Sequence, residues 1–350
     1  MRDLLHRPLR DLRVSVTDRC NLRCRYCMPR EIYGAGFAYL AREELLSYEE
    51  IERLVRVLAG LGVERVRLTG GEPLLRRGLE RLVEMLARID GIREVSLTTN
   101  GVLLAHRARA LKQSGLVRVT VSLDALDASV MRAMTDAPVA PERVLEAIDA
   151  AQEAGLGPVK VNMVVRRGVN DADVLAMAER FRHRPQILRF IEYMDVGSTN
   201  GWHAHDVVAG SELRDAIDAR WPLEALATAR PGEVARRFRY RDGAGEIGFI
   251  NSITEPFCGG CTRARLSADG KLYTCLFARD GHDLRAVLRG EPDDSALARR
   301  VAEIWSGRGD RYSAERARAG VAAGPASPAK PPAGRRDTQG AKVEMSYIGG

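Results

Sequence analysis

Cysteines near the amino end of the chain are the residues whose type and spacing most directly suggest chemistry. Cys20, Cys24 and Cys27 are separated by three and then two residues. Thiolates this close in sequence can converge on one metal centre, and three are one ligand short of the four that hold a simple iron–sulfur or structural zinc site. We interpret the missing ligand as the functional position, where a substrate or cofactor binds.

A second group of three cysteines lies in the last third of the chain. Two residues lie between Cys258 and Cys261, and thirteen lie between Cys261 and Cys275. This spacing alone is compatible with an iron–sulfur site and with a zinc knuckle that borrows a fourth ligand such as His282. Two groups of three, with none of the six cysteines left over, favour two incomplete metal sites over a disulfide scaffold.

Composition and charge narrow the class of protein. The apolar runs of the 350 residues fall well short of the roughly 18 that indicate a membrane span, and the amino end lacks the apolar core of a secretory signal. We therefore expect a cytoplasmic protein without a membrane segment. The net charge of +7 fits an anionic ligand or an arginine-rich solvated surface, and no block of like charge predicts a nucleic-acid-binding arm.

The first two-thirds of the chain repeats a short apolar strand followed by an amphipathic helix. The first such helix has Ile51, Leu54 and Leu58 on one stripe, preceded by a Ser47–Glu50 capping box. This alternation is typical of parallel βαβ units, in an α/β fold that is either a partial (β/α)6 TIM-like barrel or an open doubly wound sheet. The predicted strands are Leu12–Thr17, Val63–Thr69, Glu94–Asn100, Val117–Leu123, Val159–Val165 and Ile187–Met194.

Five of these strands alternate polar and apolar residues, although strands of a helix-covered parallel sheet are usually apolar on both faces. Buried polar side chains need a polar partner, so an inward polar face predicts a barrel lumen that binds a large anionic ligand. The alternative is an antiparallel sheet whose polar face meets solvent, and the intervening helices argue against it. The polar face consists of Arg13, Ser15, Arg67, Thr69, Ser96, Thr98, Thr120, Ser122, Lys160 and Asn162.

The pattern changes after residue 222, where we expect the barrel to end. A smaller region over residues 223–312 has predicted strands at Phe238–Tyr240 and Ile247–Ile250, and a hairpin across Asp269-Gly270 lies within its cysteine group. The composition of residues 313–341, rich in Ala and Pro, predicts a flexible linker. Residues 342–350 regain apolar character and end in Gly349-Gly350, so this tail either docks or frays.

The first cysteine group resembles that of the radical S-adenosylmethionine (SAM) superfamily. Tyr26 precedes the third cysteine, as an aromatic residue does in that family, and Gly70-Gly71-Glu72-Pro73 is similar to its methionine-amine motif. The resemblance implies a [4Fe–4S] cluster whose open iron binds SAM, with contacts from Tyr26, Gly71, Ser122 and Met194. It also implies a 5′-deoxyadenosyl radical that abstracts a hydrogen atom from the substrate.

Longer motifs narrow the resemblance to the GTP 3′,8-cyclase family, which catalyses the first step of molybdenum cofactor biosynthesis. They are Ser15–Cys24, Leu68–Leu74, Leu97–Gly101, Val121–Asp124 and Glu192–Asp195. The resemblance implies a second [4Fe–4S] cluster at Cys258, Cys261 and Cys275, whose open iron binds the guanine of GTP. It also implies insertion of Gly349-Gly350 toward the active site, and GTP contacts from Arg13, Arg67, Thr98, Lys160, Arg263 and Arg265.

The implied reaction converts GTP to (8S)-3′,8-cyclo-7,8-dihydroguanosine 5′-triphosphate: hydrogen is abstracted from C3′, and the C3′ radical attacks C8. The alternatives are a radical SAM enzyme that modifies a peptide or protein, and a non-catalytic nucleotide-binding or zinc-stabilised scaffold. The family implies a flavodoxin- or ferredoxin-type reductant and a downstream pterin-forming synthase, and a homodimer is compatible with the sequence. The chain has no P-loop motif, so side chains must hold the phosphates.

Overall fold

The computed structural model describes residues 1–290, 293–318 and 342–350. Twelve strands of this part of the chain, numbered β1 to β12 in chain order, form a single sheet. They are Asp11–Ser15, Arg65–Thr69, Glu94–Thr99, Arg118–Ser122, Lys160–Val165, Ile187–Glu192, Leu223–Ala225, Arg236–Tyr240, Glu246–Ile250, Arg263–Leu266, Lys271–Tyr273 and His282–Asp283.

Helices alternate with the first six strands and cover the outside of the sheet. The α-helices of the described residues, numbered α1 to α11, are Tyr48–Gly60, Leu79–Ala87, Ala108–Gln113, Ala128–Thr135, Pro141–Glu153, Val174–Phe181, Gly210–Arg220, Arg285–Gly290, Asp294–Ser306, Tyr312–Arg318 and Met345–Ile348. None of them is long and apolar enough to cross a membrane.

The six predicted strands and their parallel pairing are confirmed, with ends that differ by one or two residues. Local sequence explains the helix that follows β1. Ser47 Oγ accepts a hydrogen bond from Glu50 N at 3.1 Å, and Glu50 Oε2 accepts one from Ser47 N at 2.7 Å. This capping box satisfies two backbone donors at the start of α1, whose apolar stripe is fully buried against the sheet.

The region after residue 222 extends the barrel sheet at both edges. The strand order is β12-β11-β10-β1-β2-β3-β4-β5-β6-β9-β8-β7, with β10 parallel to β1 and β9 parallel to β6. The predicted hairpin is present as the antiparallel pair β10 and β11. Eight parallel strands therefore surround one interior, which confirms the α/β class, and the second region is continuous with the barrel through its backbone hydrogen bonds.

The segment that composition marks as a linker begins with structure. Helix α10 runs from Tyr312 to Arg318, and Arg316 donates a 2.9 Å hydrogen bond to the carbonyl of Ser252. The rest of the predicted linker, residues 319–341, lies outside the described residues. The described chain resumes at residue 342, and the tail ends beside β1 and β2.

Candidate active site

The polar strand faces line one cavity of about 360 Å³, a size typical of ligand sites. Ser15 is the exception among the residues of that face, since its hydroxyl donates to Thr17 O at 3.3 Å and it does not line the cavity. Each of the first six strands contributes to it, and both cysteine groups open onto it. The expectation of a polar lumen is therefore confirmed, and the alternative of an outward-facing polar sheet is wrong. The predicted residues on its wall are Cys20, Cys24, Tyr26, Cys27, Arg13, Arg67, Gly71, Thr98, Ser122, Lys160, Met194, Cys258, Cys261, Arg263, Arg265, Cys275 and Gly350.

The first cysteine group follows the carboxyl end of β1, the end where parallel barrels build their active sites. Backbone hydrogen bonds close its loop on itself and hold it to α4. Cys27 N donates to Cys24 O at 2.9 Å, and Arg23 N donates to Thr135 O at the end of α4 at 3.0 Å. The three sulfurs are thus presented to the cavity by a short loop fixed on a strand and a helix.

The chemistry of these sulfurs fits a metal cluster. All three are free thiols, and burial raises the pKa of Cys20 to about 11 and raises the pKa values of Cys24 and Cys27 well above the ordinary value of a thiol. Buried thiols of this kind become ligands when a metal displaces their protons. Among the described residues no three His, Cys, Asp or Glu side chains converge closely enough to hold a single ion, whereas the cysteines of a cubane each bind a different iron.

The glycine motif after β2 is shaped by close backbone contact. Gly71 lies against the cysteine loop, where an added Cβ would be 2.2 Å from Arg19 O, and Gly70 has φ +145°. Only glycine fits both constraints. The adjoining carboxylate of Glu72 is buried and accepts hydrogen bonds from Asn100 N and Thr99 Oγ1, both at 2.8 Å, so it ties this motif to the end of β3.

Tyr26 and Asp124 form a polar contact beside the first cysteine group. Tyr26 Oη donates to Asp124 Oδ2 at 2.8 Å, and the other carboxylate oxygen accepts from Val164 N at 2.9 Å. Burial raises the pKa of Asp124 to about 6. Ser122 and Met194, the other residues implied to bind SAM, lie on the same cavity wall at the ends of β4 and β6.

The second cysteine group lies at the opposite end of the cavity. Cys258 and Cys261 precede β10, which is parallel to β1, and Cys275 follows the antiparallel β11. All three are therefore at the amino ends of the parallel strands. Burial alone would raise the pKa of Cys261, but Arg263 and Arg308 lower it to about 7, and Arg308 Nη2 donates to the sulfur at 3.3 Å.

Cations fill the lumen between the two cysteine groups. Burial and the repulsion of neighbouring cations lower the pKa of Arg67 to about 10 and that of Lys160 to about 7. Arg13 is lowered in pKa by burial and by Arg265, Arg67 and Arg263. Arg67 donates to Thr120 Oγ1 at 3.0 Å. Such a buried excess of positive charge needs an anion to neutralise it.

Arg189 on β6 belongs to the same set, although sequence reasoning missed it. It lines the cavity, its pKa is lowered to about 9 by burial and by Arg67, and its Nε donates to Asn162 Oδ1 at 3.0 Å. The register of the sheet places Arg189 on the polar face, because Arg189 pairs with Asn162 of β5. The alternation of polar and apolar residues could not be recognised on β6, because Ile191, two residues after Arg189, also lines the cavity and is apolar.

The carboxyl-terminal tail docks at this site. Gly349 O accepts a hydrogen bond from Arg265, and an added Cβ on Gly349 would be 2.2 Å from Thr69 Cγ2. Ile348 is fully buried and Gly350 lines the cavity. The tail therefore enters the cavity, and Arg265, expected to contact GTP, holds the tail in this structure.

Ion pairs and hydrogen bonds fix the start of the tail. Lys342 Nζ donates to Asp195 Oδ2 at 2.8 Å, next to Met194. The half-buried Glu344 carboxylate accepts from Ser198 N at 2.8 Å and from Thr199 Oγ1 at 2.9 Å. These contacts join the tail to the loop after β6, so the tail and the cavity wall are positioned together.

Comparisons with known proteins agree with this geometry. The radical SAM superfamily model matches residues 14–181, and the Molybdenum Cofactor Synthesis C model matches residues 186–314. Among solved structures, Streptococcus suis SuiB bound to S-adenosylmethionine has a similar fold, with a TM-score of 0.58 and 14% identity over 83% of this chain and 66% of that chain. Fold and site together define a radical SAM protein with an additional cysteine region.

Curated relatives identify the family within that class. The GTP 3′,8-cyclase of Acidothermus cellulolyticus is 54% identical over 100% of this chain and 99% of its own length. Those of Xanthomonas axonopodis and Staphylococcus epidermidis are 52% and 43% identical, covering 91% and 100% of this chain and 94% and 99% of their own lengths. The chain belongs to the GTP 3′,8-cyclase family, and both cysteine groups fit the [4Fe–4S] clusters of that family.

Proposed function

We propose that this chain is a radical SAM lyase that converts GTP to (8S)-3′,8-cyclo-7,8-dihydroguanosine 5′-triphosphate, the first step of molybdenum cofactor biosynthesis. One observation carries the proposal: two three-cysteine groups open onto opposite ends of a single cationic cavity. A substrate held between them can be bound at one end and attacked at the other. High identity to relatives named GTP 3′,8-cyclase, over nearly the full chain, supports the same reaction.

The cysteines would hold two [4Fe–4S] clusters, with SAM at Cys20, Cys24 and Cys27 and the guanine at Cys258, Cys261 and Cys275. When bound, the first cluster and SAM supply hydrogen-atom abstraction at C3′ of GTP. The chain itself orients the two partners. Tyr26, Gly71, Ser122 and Met194 are assigned to SAM, and Tyr26 is fixed for that role by its 2.8 Å hydrogen bond to Asp124.

The lumen cations are assigned to the nucleotide. Guanidinium and ammonium groups bind phosphate oxygens through charge-assisted hydrogen bonds, so Arg13, Arg67 and Lys160 hold the triphosphate. Thr98, Arg263 and Arg265 complete the assigned set. The docked tail, which ends at Gly349-Gly350, narrows the cavity beside Arg265 and excludes water from the reacting sugar.

The reaction needs partners outside the chain. Reduction of a [4Fe–4S] cluster requires an electron donor, and we assign a flavodoxin- or ferredoxin-type reductant to this role. The cyclised nucleotide still contains the triphosphate, so a downstream synthase must form the pterin from it. We expect both encounters to take place in the cytoplasm, and a homodimer is compatible with this assignment.

Anaerobic reconstitution tests the proposal. The expected result is about eight irons per chain, and 5′-deoxyadenosine formation from SAM under reducing conditions that depends on added GTP. About four irons or fewer, or one equivalent of zinc, would contradict the two-cluster site. Cleavage of SAM that ignores GTP would instead favour a radical enzyme acting on a peptide or protein.

A further inference from the structure

The loop between β7 and β8 closes the amino-terminal end of the cavity. Residues 226–235 connect the two strands, and five of them line the cavity wall: Arg230, Gly232, Glu233, Val234 and Ala235. No sequence motif marks this loop, since its composition is that of an ordinary surface turn. Its position makes it part of the substrate chamber rather than a solvent-facing connection.

The loop is held against the second cysteine region by its backbone. Arg263 donates to Gly232 O at 3.1 Å. Gly232 has φ +80°, and an added Cβ would be 2.5 Å from Thr262 Oγ1, so glycine permits this close approach. Glu233 Oε2 accepts from Ala229 N at 2.9 Å, which closes the loop on itself. Arg230 lies between Ala229 and Gly232, so a fixed backbone positions its side chain at the cavity.

Arg230 has weak compensation for its charge. Its side chain is 36% exposed, and its ion pair among the described residues is a long one, 3.8 Å to Glu94 Oε2. Glu94 is already bound by Arg118 at 2.5 Å. Within the part of the chain that the structure describes, the Arg230 guanidinium has no hydrogen-bond acceptor, so its donors are available to a ligand.

The surroundings of Arg230 are those of an anion site. The positive charge of Arg230 contributes to the lowered pKa values of three lumen cations, Lys160, Arg67 and Arg189. The nearby carboxylate of Asp11 is bound by Arg65 at 2.6 Å and by Thr262, so it offers Arg230 little compensation. A ligand with several negative charges would neutralise this end of the cavity, and a ligand with few would leave Arg230 unmatched.

The location of Arg230 relative to the second cysteine group determines which part of a bound nucleotide it can contact. Gly232 holds the loop beside the second cysteine group, but the Arg230 side chain lies near Glu94 at the start of β3. Strands β1 and β2 separate β3 from β10, which follows Cys258 and Cys261. A nucleotide whose base is held at the cysteines therefore meets Arg230 through the groups farthest from the base. We propose that Arg230 binds the outer phosphates and makes the site selective for a triphosphate over a monophosphate. This inference rests on the proposed function.

Substitution at Arg230 tests this selectivity in the reconstituted full-length enzyme. In Arg230→Gln we expect KM for GTP to rise about tenfold, because one charge-assisted hydrogen bond is lost. We expect kcat to change by less than about twofold. The inhibition constant of GMP against GTP should stay the same. Arg230→Lys should recover most of the loss, and Arg239→Gln, an exposed arginine of β8 paired with Glu224, is the matched control without effect.

Two results would overturn the inference: an unchanged KM for GTP, or equal weakening of GTP and GMP, which would indicate a general structural role. Iron content equal to that of the native chain verifies that each variant keeps its clusters. If the native enzyme does not cyclise GTP, the proposed function fails, and equilibrium binding of GTP and GMP to native and Arg230→Gln protein still decides whether Arg230 reads the outer phosphates.

Discussion

Lys160 is the lumen cation whose charge depends most on pH near neutrality. Burial, and then Arg189, Arg118 and Arg67, lower its pKa to about 7. The free enzyme therefore loses this charge as the pH rises above 7, whereas a bound triphosphate favours the protonated lysine. We expect GTP binding to be strongest below pH 7 and KM to rise by up to about tenfold per pH unit above it, measured between pH 6.5 and 8.5.

Lys160→Arg is the control for this pH dependence. Arginine stays charged throughout that range, so the rise in KM should flatten, while ionisation of the GTP phosphates affects both proteins equally. An equally steep profile in Lys160→Arg would assign the effect to another group and contradict the role of Lys160.

At the residue scale, much of the site could be predicted from type and spacing. Cys20 and its partners, and the polar face of five strands, follow from short-range patterns and line one cavity. Residues whose role depends on distant chain segments could not be predicted this way. Arg265 contacts the tail carbonyl of Gly349, 84 residues further along the chain, and Arg230 reaches the lumen from a loop with no periodicity.

At the element scale, the tail depends on one glycine. Gly349 has φ +80° and contacts Thr69, so Gly349→Ala adds both backbone strain and a steric clash. We expect the tail to detach, kcat to fall about tenfold or more, and proteolysis after Lys342 to accelerate, because burial of Ile348 alone is worth about 1.5–3 kcal/mol. Mass spectrometry of the cleaved tail and steady-state kinetics measure the two effects.

Gly60→Ala is the matched control for this substitution. Gly60 ends α1 with open space around its Cβ position, so alanine there should leave turnover unchanged. Native-like proteolysis and kcat in Gly349→Ala would show that the tail tolerates a side chain and that its docking does not limit catalysis.

The pairing of elements was less predictable than their existence. Hydrophobic periodicity located β1 to β6 because it is a local property. That β9 joins β6 and β10 joins β1 depends on which sheet edges remain unpaired after the barrel forms. The region after residue 222 therefore reads as a separate domain in sequence, although its strands complete the sheet.

At the scale of the whole molecule, the barrel and the second region form one folding unit. A fragment of residues 1–222 would leave β1 and β6 as open parallel edges and uncover α1, against which α9 packs. We expect this fragment to aggregate on size-exclusion chromatography. A chain of residues 1–318, which keeps α10 and lacks residues 319–350, should remain soluble, and a well-folded 1–222 fragment would contradict the single-unit interpretation.

The proposed function requires that one cavity join a radical-generating site to a GTP site. Turnover of GTP deuterated at C3′ by the reconstituted full-length enzyme, followed by mass spectrometry of both products, tests it most directly. We expect deuterium in 5′-deoxyadenosine and a cyclised nucleotide that retains all three phosphates. 5′-Deoxyadenosine without deuterium, or GTP recovered unchanged, would contradict it.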